Sequence, residues 1–398
     1  MSNDALHREK LAQAASLLRD LHFDAWLIFV RETSAGGDPC LQFLCDSSLT
    51  WQSALIVSRD GATRAVVGTY DADPLAVSGN WDEVVRYDNS IRDALVATLD
   101  AVCGDQPRIA VNYSMNDDKA DGLTHGMYLL LQSYLKGTRL EGRLESSEPM
   151  LMRLRGEKTS EELRRIVAAI ERTDEIFSKV PTVAKIGASE REVYSHIQRW
   201  IDENGMDYAW DRRGDPIVNS GPDSMVGHGI PSASVRISPG HVFHIDLGVK
   251  HGGYCSDLQR IWYVSGGEGV PSDVRSAFEA VHETITVAAS ALRPGVRGVE
   301  VDAAAREQIQ RRGYPQYMHA VGHQVGTMAH DGGAILGPAW ERYGDTPFIE
   351  VRPNEVYTLE LGVDVPGRGY LGLEEMVRVT EDGCQFLSSR QDEVHVLV

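Results

Sequence analysis

No stretch of this chain approaches the ~20 consecutive apolar residues that a membrane-spanning helix requires, so no membrane span is expected. The opening residues, Met-Ser-Asn-Asp-Ala-Leu-His-Arg-Glu-Lys, lack an apolar core and are not expected to act as a signal peptide. Clusters of Lys or Arg are missing too. The 58 acidic residues outnumber the 39 basic ones, for a net charge of -19. That balance favours solubility and argues against a nucleic-acid surface. Cysteine is scarce and odd in number: Cys40, Cys45, Cys103, Cys255 and Cys384, with no tight pairing motif. This fits a reducing cytoplasm rather than a disulfide scaffold.

What is present is an ordinary globular composition over 398 residues, enough for two domains with cores of their own. Helical and strand-like patterns alternate in the first part. A helix is predicted over 11–21, strands over 25–30, 51–57, 63–67 and 108–113, and a helix over 125–135. That alternation predicts a small α/β domain. Residues 155–159 read as a linker. Thr159 and Glu162 then form a capping-box pattern before the apolar stripe Leu163, Ile166, Val167 and Ile170. Ser189 and Glu192 repeat the box, and further helices are predicted over 274–292 and 299–311. Helices alternating with antiparallel strand pairs predict an α+β domain for the remainder. The expected division is 1–157 and 158–398.

The chemistry concentrates in the last third. Asp246 follows the apolar run 242–245, and Glu360 follows 356–359. A carboxylate at the end of a buried strand is costly unless paired or bound to a metal. Asp257 leads into the strand-like Ile261-Trp262-Tyr263-Val264. Between Asp246 and Asp257 stands Lys250-His-Gly-Gly-Tyr254, a hairpin-like turn signal that would put the two aspartates on neighbouring strands. Alone, each residue has a plainer reading: a turn aspartate, a core or surface histidine, a solvent-facing glutamate. Together Asp246, Asp257, His323, Glu360 and Glu374 supply four carboxylates and one imidazole, enough for two divalent ions. Oxygen-rich ligation with one imidazole suits Mn²⁺ or Fe²⁺, and Co²⁺ or Zn²⁺ also fit. Cys255 shares a face with Asp257 in an extended segment but is not needed as a ligand. His244 shares a face with Asp246; it and His251 are read as structural.

The frames around these residues are His-Ile-Asp246-Leu-Gly, Tyr-Cys-Ser-Asp257-Leu-Gln-Arg, Val-Gly-His323-Gln-Val-Gly, Tyr-Thr-Leu-Glu360-Leu-Gly and Gly-Leu-Glu374-Glu-Met-Val-Arg-Val-Thr. In this order they resemble the pita-bread metallopeptidases: methionine aminopeptidase, aminopeptidase P, prolidase and the related creatinase. The resemblance covers 225–383. It implies an α+β pita-bread catalytic domain preceded by a smaller α/β N-terminal domain. It also implies that all five residues are metal ligands, with Glu374 rather than Glu375 in the last frame. His319, His323 and His330 keep the family's spacing, and His228 stands where these enzymes carry a substrate-side histidine.

The implied function is hydrolysis of the peptide bond preceding proline, as in an Xaa-Pro dipeptidase or aminopeptidase P, by a hydroxide shared between two divalent ions, Mn²⁺ first. Glu360 would relay a proton, His330 would stabilise the tetrahedral intermediate, and His228 and His319 would shape the pocket. Arg260 and Arg368 are weaker candidates for anchoring a substrate carboxylate. The expected partner is a short proline-containing peptide, in a cytoplasmic homodimer. Two features depart from the prolidase pattern: Leu361 replaces proline after the first glutamate, and Gly372 replaces arginine two residues before the last ligand. They leave room for a metal-dependent lyase or other hydrolase on the same scaffold. An inactive binding protein is disfavoured because no ligand is missing.

Overall fold

The structure, a computed structural model, describes residues 3–227 and 229–398. The chain forms two compact units, Met1–Arg155 and Gly156–Val398.

The first unit runs α1 (Asp4–Asp20), β1 (Ala25–Val30), β2 (Ser53–Ser58), β3 (Thr63–Gly68), α2 (Ala72–Ser78), β4 (Glu83–Tyr87), α3 (Arg92–Val102), β5 (Ile109–Val111), α4 (His125–Leu135), β6 (Leu144–Ser146) and α5 (Glu148–Gly156). Its six strands form one mixed sheet in the order β4-β3-β2-β1-β5-β6. β1, Ala-Trp-Leu-Ile-Phe-Val, is buried along its whole length. A strand covered on both faces needs apolar residues at every position rather than at alternate ones. Trp26 and Ile28 pack into one core and Leu27 and Phe29 into the other.

The second unit runs α6 (Ser160–Val183), α7 (Glu190–Glu203), β7 (Asp207–Tyr208), β8 (Ile217–Ser220), β9 (Val242–Leu247), β10 (Val249–His251), β11 (Tyr254–Cys255), β12 (Leu258–Val264), α8 (Ser272–Ala291), α9 (Gly298–Arg311), β13 (Val356–Val365), β14 (Gly369–Val379), β15 (Cys384–Phe386) and β16 (His395–Leu397). A seven-stranded sheet is built on the path β13-β14-β12-β9-β8, with β15 added to β14 and β16 to β12. Antiparallel pairing dominates; only β16 joins in parallel. α8 packs on β13 and β14. Leu359, Leu361, Val363, Leu371 and Leu373 share a core with Val281, Ile285 and Ala288 of that helix. Burying each such aliphatic side chain contributes roughly 1.5–3 kcal/mol.

Both capping boxes form. Thr159 Oγ1 accepts from Glu162 N at the start of α6, Ser189 Oγ accepts from Glu192 N at the start of α7, and each glutamate reaches back to its cap. The division between the two units falls inside the expected linker 155–159. α5 continues to Gly156, with Glu148 in its first turn and Arg153 and Arg155 in its last, charges that suit the helix dipole. Beyond it Lys158 is buried and ion-paired with Asp331 at 3.2 Å.

Candidate active site

Sheet register assembles the site. Asp246 pairs with Gln259, Gln259 with Glu374, and Glu374 with Glu360. These four residues form a row across β9, β12, β14 and β13, and paired residues project to one face. Asp257 lies just before β12, two residues from Gln259, so the pleat returns it to that face. The expected proximity of the two aspartates follows from the β9–β12 pairing, where Leu247 opposes Leu258. His323 arrives on an extended segment beside β13. Thr358 N donates to its carbonyl at 2.9 Å and Glu360 N donates to Val321 O at 2.8 Å. Gly322 permits that approach, because a Cβ there would collide with the Thr358 carbonyl oxygen.

One ligand atom each from Asp257, His323 and Glu374 lie within 4.8 Å of one another. His323 Nε2 is 3.6 Å from Glu360 Oε1 and 3.8 Å from Asp257 Oδ2. Among the described residues, Asp246 Oδ1 is buried without a hydrogen-bond partner. Burial pushes the carboxyls of Asp246, Asp257 and Glu374 well above the usual carboxylate range, and their neighbours' negative charges act in the same direction. A crowded acidic cluster with an orphaned oxygen and one imidazole has the donor chemistry of a divalent-cation centre. The residues present fit such a group.

Gln259, which the sequence reading passed over, sits at the middle of the row. Its amide nitrogen donates to Glu360 Oε2 at 3.0 Å and to Glu374 Oε2 at 3.1 Å. Its carbonyl lies 3.0 Å from His244 Nε2, while His244 Nδ1 lies 3.1 Å from Asn219 Oδ1. Burial pushes the His244 ring down to about 4, against the opposing effect of Gln259. The pleat rule that paired His244 with Asp246 also pairs Gln259 with Asp257, so the signal was present. Asp215 was missed as well. It is fully buried, accepts from Ala209 N at 3.0 Å, and is pushed well above the usual range by burial. An isolated Asp-Pro gives no sequence signal beyond a turn.

The histidine candidates are placed unequally. His330 lies against His323, with ring centroids 4.3 Å apart. Its loop is braced by Asp331, which pairs with Lys158 and accepts from Thr327 Oγ1 at 3.2 Å. His319 is half-buried, its Nδ1 2.7 Å from Ala320 O. His228 falls outside the described residues. Cys255 Sγ faces the carbonyls of Ala209 and Thr327. Arg260 and Arg368 are turned to other tasks. Arg260 bonds Glu375, Glu374 O and Ser389 O, and Arg368 bonds Asp273 and Gly240 O.

An α+β unit presenting such an acidic row from an antiparallel sheet has the pita-bread fold. The profile of Metallopeptidase family M24 matches residues 164–381, and the chain belongs to that family. A Bacillus subtilis (strain 168) protein described as uncharacterized peptidase YqhT is 28% identical over 285 residues, covering 70% of this chain and 73% of that protein. The Xaa-Pro dipeptidase of Pyrococcus furiosus is 29% identical over 269 residues, covering 67% and 72%. The structure of an X-Pro aminopeptidase from Thermotoga maritima MSB8 superposes with a TM-score of 0.71 at 21% identity, over 97% of this chain and 99% of that one. At that identity the likeness speaks for the fold.

Proposed function

We propose that this peptidase hydrolyses the bond preceding proline in short peptides, as an Xaa-Pro dipeptidase or aminopeptidase P does. The observation that carries the reading is the register-aligned row of Asp246, Glu374 and Glu360, closed by Asp257 and His323. These five would hold two divalent ions, Mn²⁺ first, with Co²⁺, Fe²⁺ or Zn²⁺ as alternatives. When bound, such ions lower the pKa of water and polarise a carbonyl.

The chain's own groups do the rest. Glu360 is more exposed than Asp257, 20% against 8% for the side chains, and can pass a proton from water to the leaving nitrogen. His330, beside His323, is placed to donate to the oxygen of a tetrahedral intermediate. His319, and His228 from its sequence position, shape the walls around the substrate. The protein is assigned to the cytoplasm as a homodimer; light scattering of the full chain tests the second point, and a single-chain mass contradicts it. Among the described residues, no helix is long and apolar enough to cross a membrane.

The test is turnover by stripped protein reloaded with Mn²⁺, Co²⁺, Fe²⁺ or Zn²⁺, on Xaa-Pro dipeptides, Xaa-Pro tripeptides and controls without proline. Metal-dependent, proline-selective cleavage is expected. Uptake of two ions per chain with no peptide cleaved would move the assignment to a non-peptidase reaction, which Leu361 and Gly372 leave open.

A further inference from the structure

The face that carries Glu374 and Glu360 continues along β14 and β13 through two opposed glycines. Gly372 pairs with Gly362, and one step further Tyr370 pairs with Asp364. Residues 370, 372 and 374 share a face, as do 360, 362 and 364. The glycine pair leaves a trough beside the acidic row, and the Tyr370 ring lies in it. A Cβ on Gly372 would come within 2.7 Å of Tyr370 Cε1 and 2.6 Å of Gln259 Oε1. A Cβ on Gly362 would overlap the Tyr370 hydroxyl. His244 holds the ring edge-on, with centroids 5.2 Å apart and planes at 85°. The hydroxyl therefore sits two residues from Glu360, among the charges of Glu360, Asp246, Asp364 and Glu374.

The charges that bear on the Tyr370 hydroxyl include those of four carboxylates. The atoms nearest the glycine trough belong to Tyr370, Gln259 and His244. Arg260 and Arg368, the nearby arginines, are committed elsewhere. Asp364, outside the proposed ligand set, adds a negative charge beside Tyr370. A free carboxylate placed here would meet the phenol donor and, beside it, the negative charge of Asp364, which would repel it. A neutral amide would take the same hydrogen bond without that repulsion.

We propose that Tyr370 touches substrate, donating its hydroxyl to the carbonyl of the residue at the cleaved bond's carboxyl side, and that its wall selects peptides continuing past proline over Xaa-Pro dipeptides. This rests on the proline-peptidase reading above and narrows it.

The decisive probes differ only in terminal charge: Ala-Pro, Ala-Pro-NH2 and Ala-Pro-Ala, with wild type, Tyr370→Phe and Asp364→Asn, metal content being measured separately. Wild type is expected to favour the amide and the tripeptide over the free acid by about tenfold or more in kcat/KM. Tyr370→Phe keeps the ring in its trough and should retain full metal content. It should lose about tenfold on the amide and tripeptide, and less on the acid. Asp364→Asn should narrow the preference by improving the acid. As a readout independent of turnover, the ζ-¹³C tyrosine resonance missing from Tyr370→Phe should shift when Ala-Pro-Ala is added to wild type. Proline-selective cleavage with unchanged Tyr370→Phe kinetics, or with the free acid preferred, overturns this assignment alone. Absence of proline-selective cleavage overturns the reading beneath it and this assignment together.

Discussion

Two adjacent glutamates on β14 show how much one position decides. Glu374 faces the row, while Glu375 faces the opposite side and is bound by Arg260 Nη2 at 3.1 Å, Ser388 Oγ at 2.5 Å and Gln391 N at 3.1 Å. Glu375→Gln should therefore lower stability without changing metal stoichiometry, whereas Asp257→Ala should remove metal and activity together. Metal analysis of both proteins checks this, and exchanged outcomes would show the last motif to be read one residue out of register. Gln259 allows a finer test. Gln259→Met keeps the volume but removes the donor shared by Glu360 and Glu374. Groups that orient ligands are typically worth 10–100-fold in metal affinity. A loss of at least about tenfold is expected by competition against a chelator; unchanged affinity would reduce Gln259 to packing.

The strand β13 has a second ionisable feature at its entrance, away from the acidic row. Glu355 is buried and accepts from Arg352 N at 2.9 Å and from the Tyr357 hydroxyl at 2.7 Å. Burial still pushes it from an ordinary 4.5 up to about 7. The folded state thus holds this proton more tightly than the unfolded chain. Its contribution to stability is full below about pH 4.5 and is lost as pH rises through about 7. The gap corresponds to about 3 kcal/mol. Glu355→Gln should gain stability relative to wild type between pH 5 and pH 8, as read by denaturant midpoints; a parallel pair of pH curves would refute the assignment. The elements themselves were largely legible. β1 and α4 coincide with their predicted spans, β9 runs two residues past its expected end and so contains Asp246, and both capping boxes form, because local periodicity and end chemistry act over a few residues. The row was legible only in part. Its acidic members stand in recognisable frames, but Gln259 and Tyr370 owe their positions to pairing between strands more than 100 residues apart or to a glycine trough. No local pattern encodes that register.

At the scale of the molecule, the acidic row sets stability against function. Without cations, Asp246, Asp257 and Glu374 are buried among one another's charges, and each is pushed toward its protonated form. By linkage, the metal-free fold is favoured below the ordinary carboxylate range and loses stability as pH rises through the raised values. Bound divalent ions neutralise the same oxygens, so their stabilising effect must grow with pH, and their uptake must release protons. At a thousandfold excess over Kd, binding contributes about 4 kcal/mol. For a unit of this size that is a rise of roughly 10 °C in Tm. Chelation should lower Tm by that order at pH 8 and by clearly less at pH 5, and adding back Mn²⁺ should restore it. Calorimetric titration in two buffers of different ionisation enthalpy should show proton release at pH 7. A chelator-induced loss that is the same at both pH values, with no proton release, would mean that the ions bind away from the row and that its carboxylates are held by protons alone.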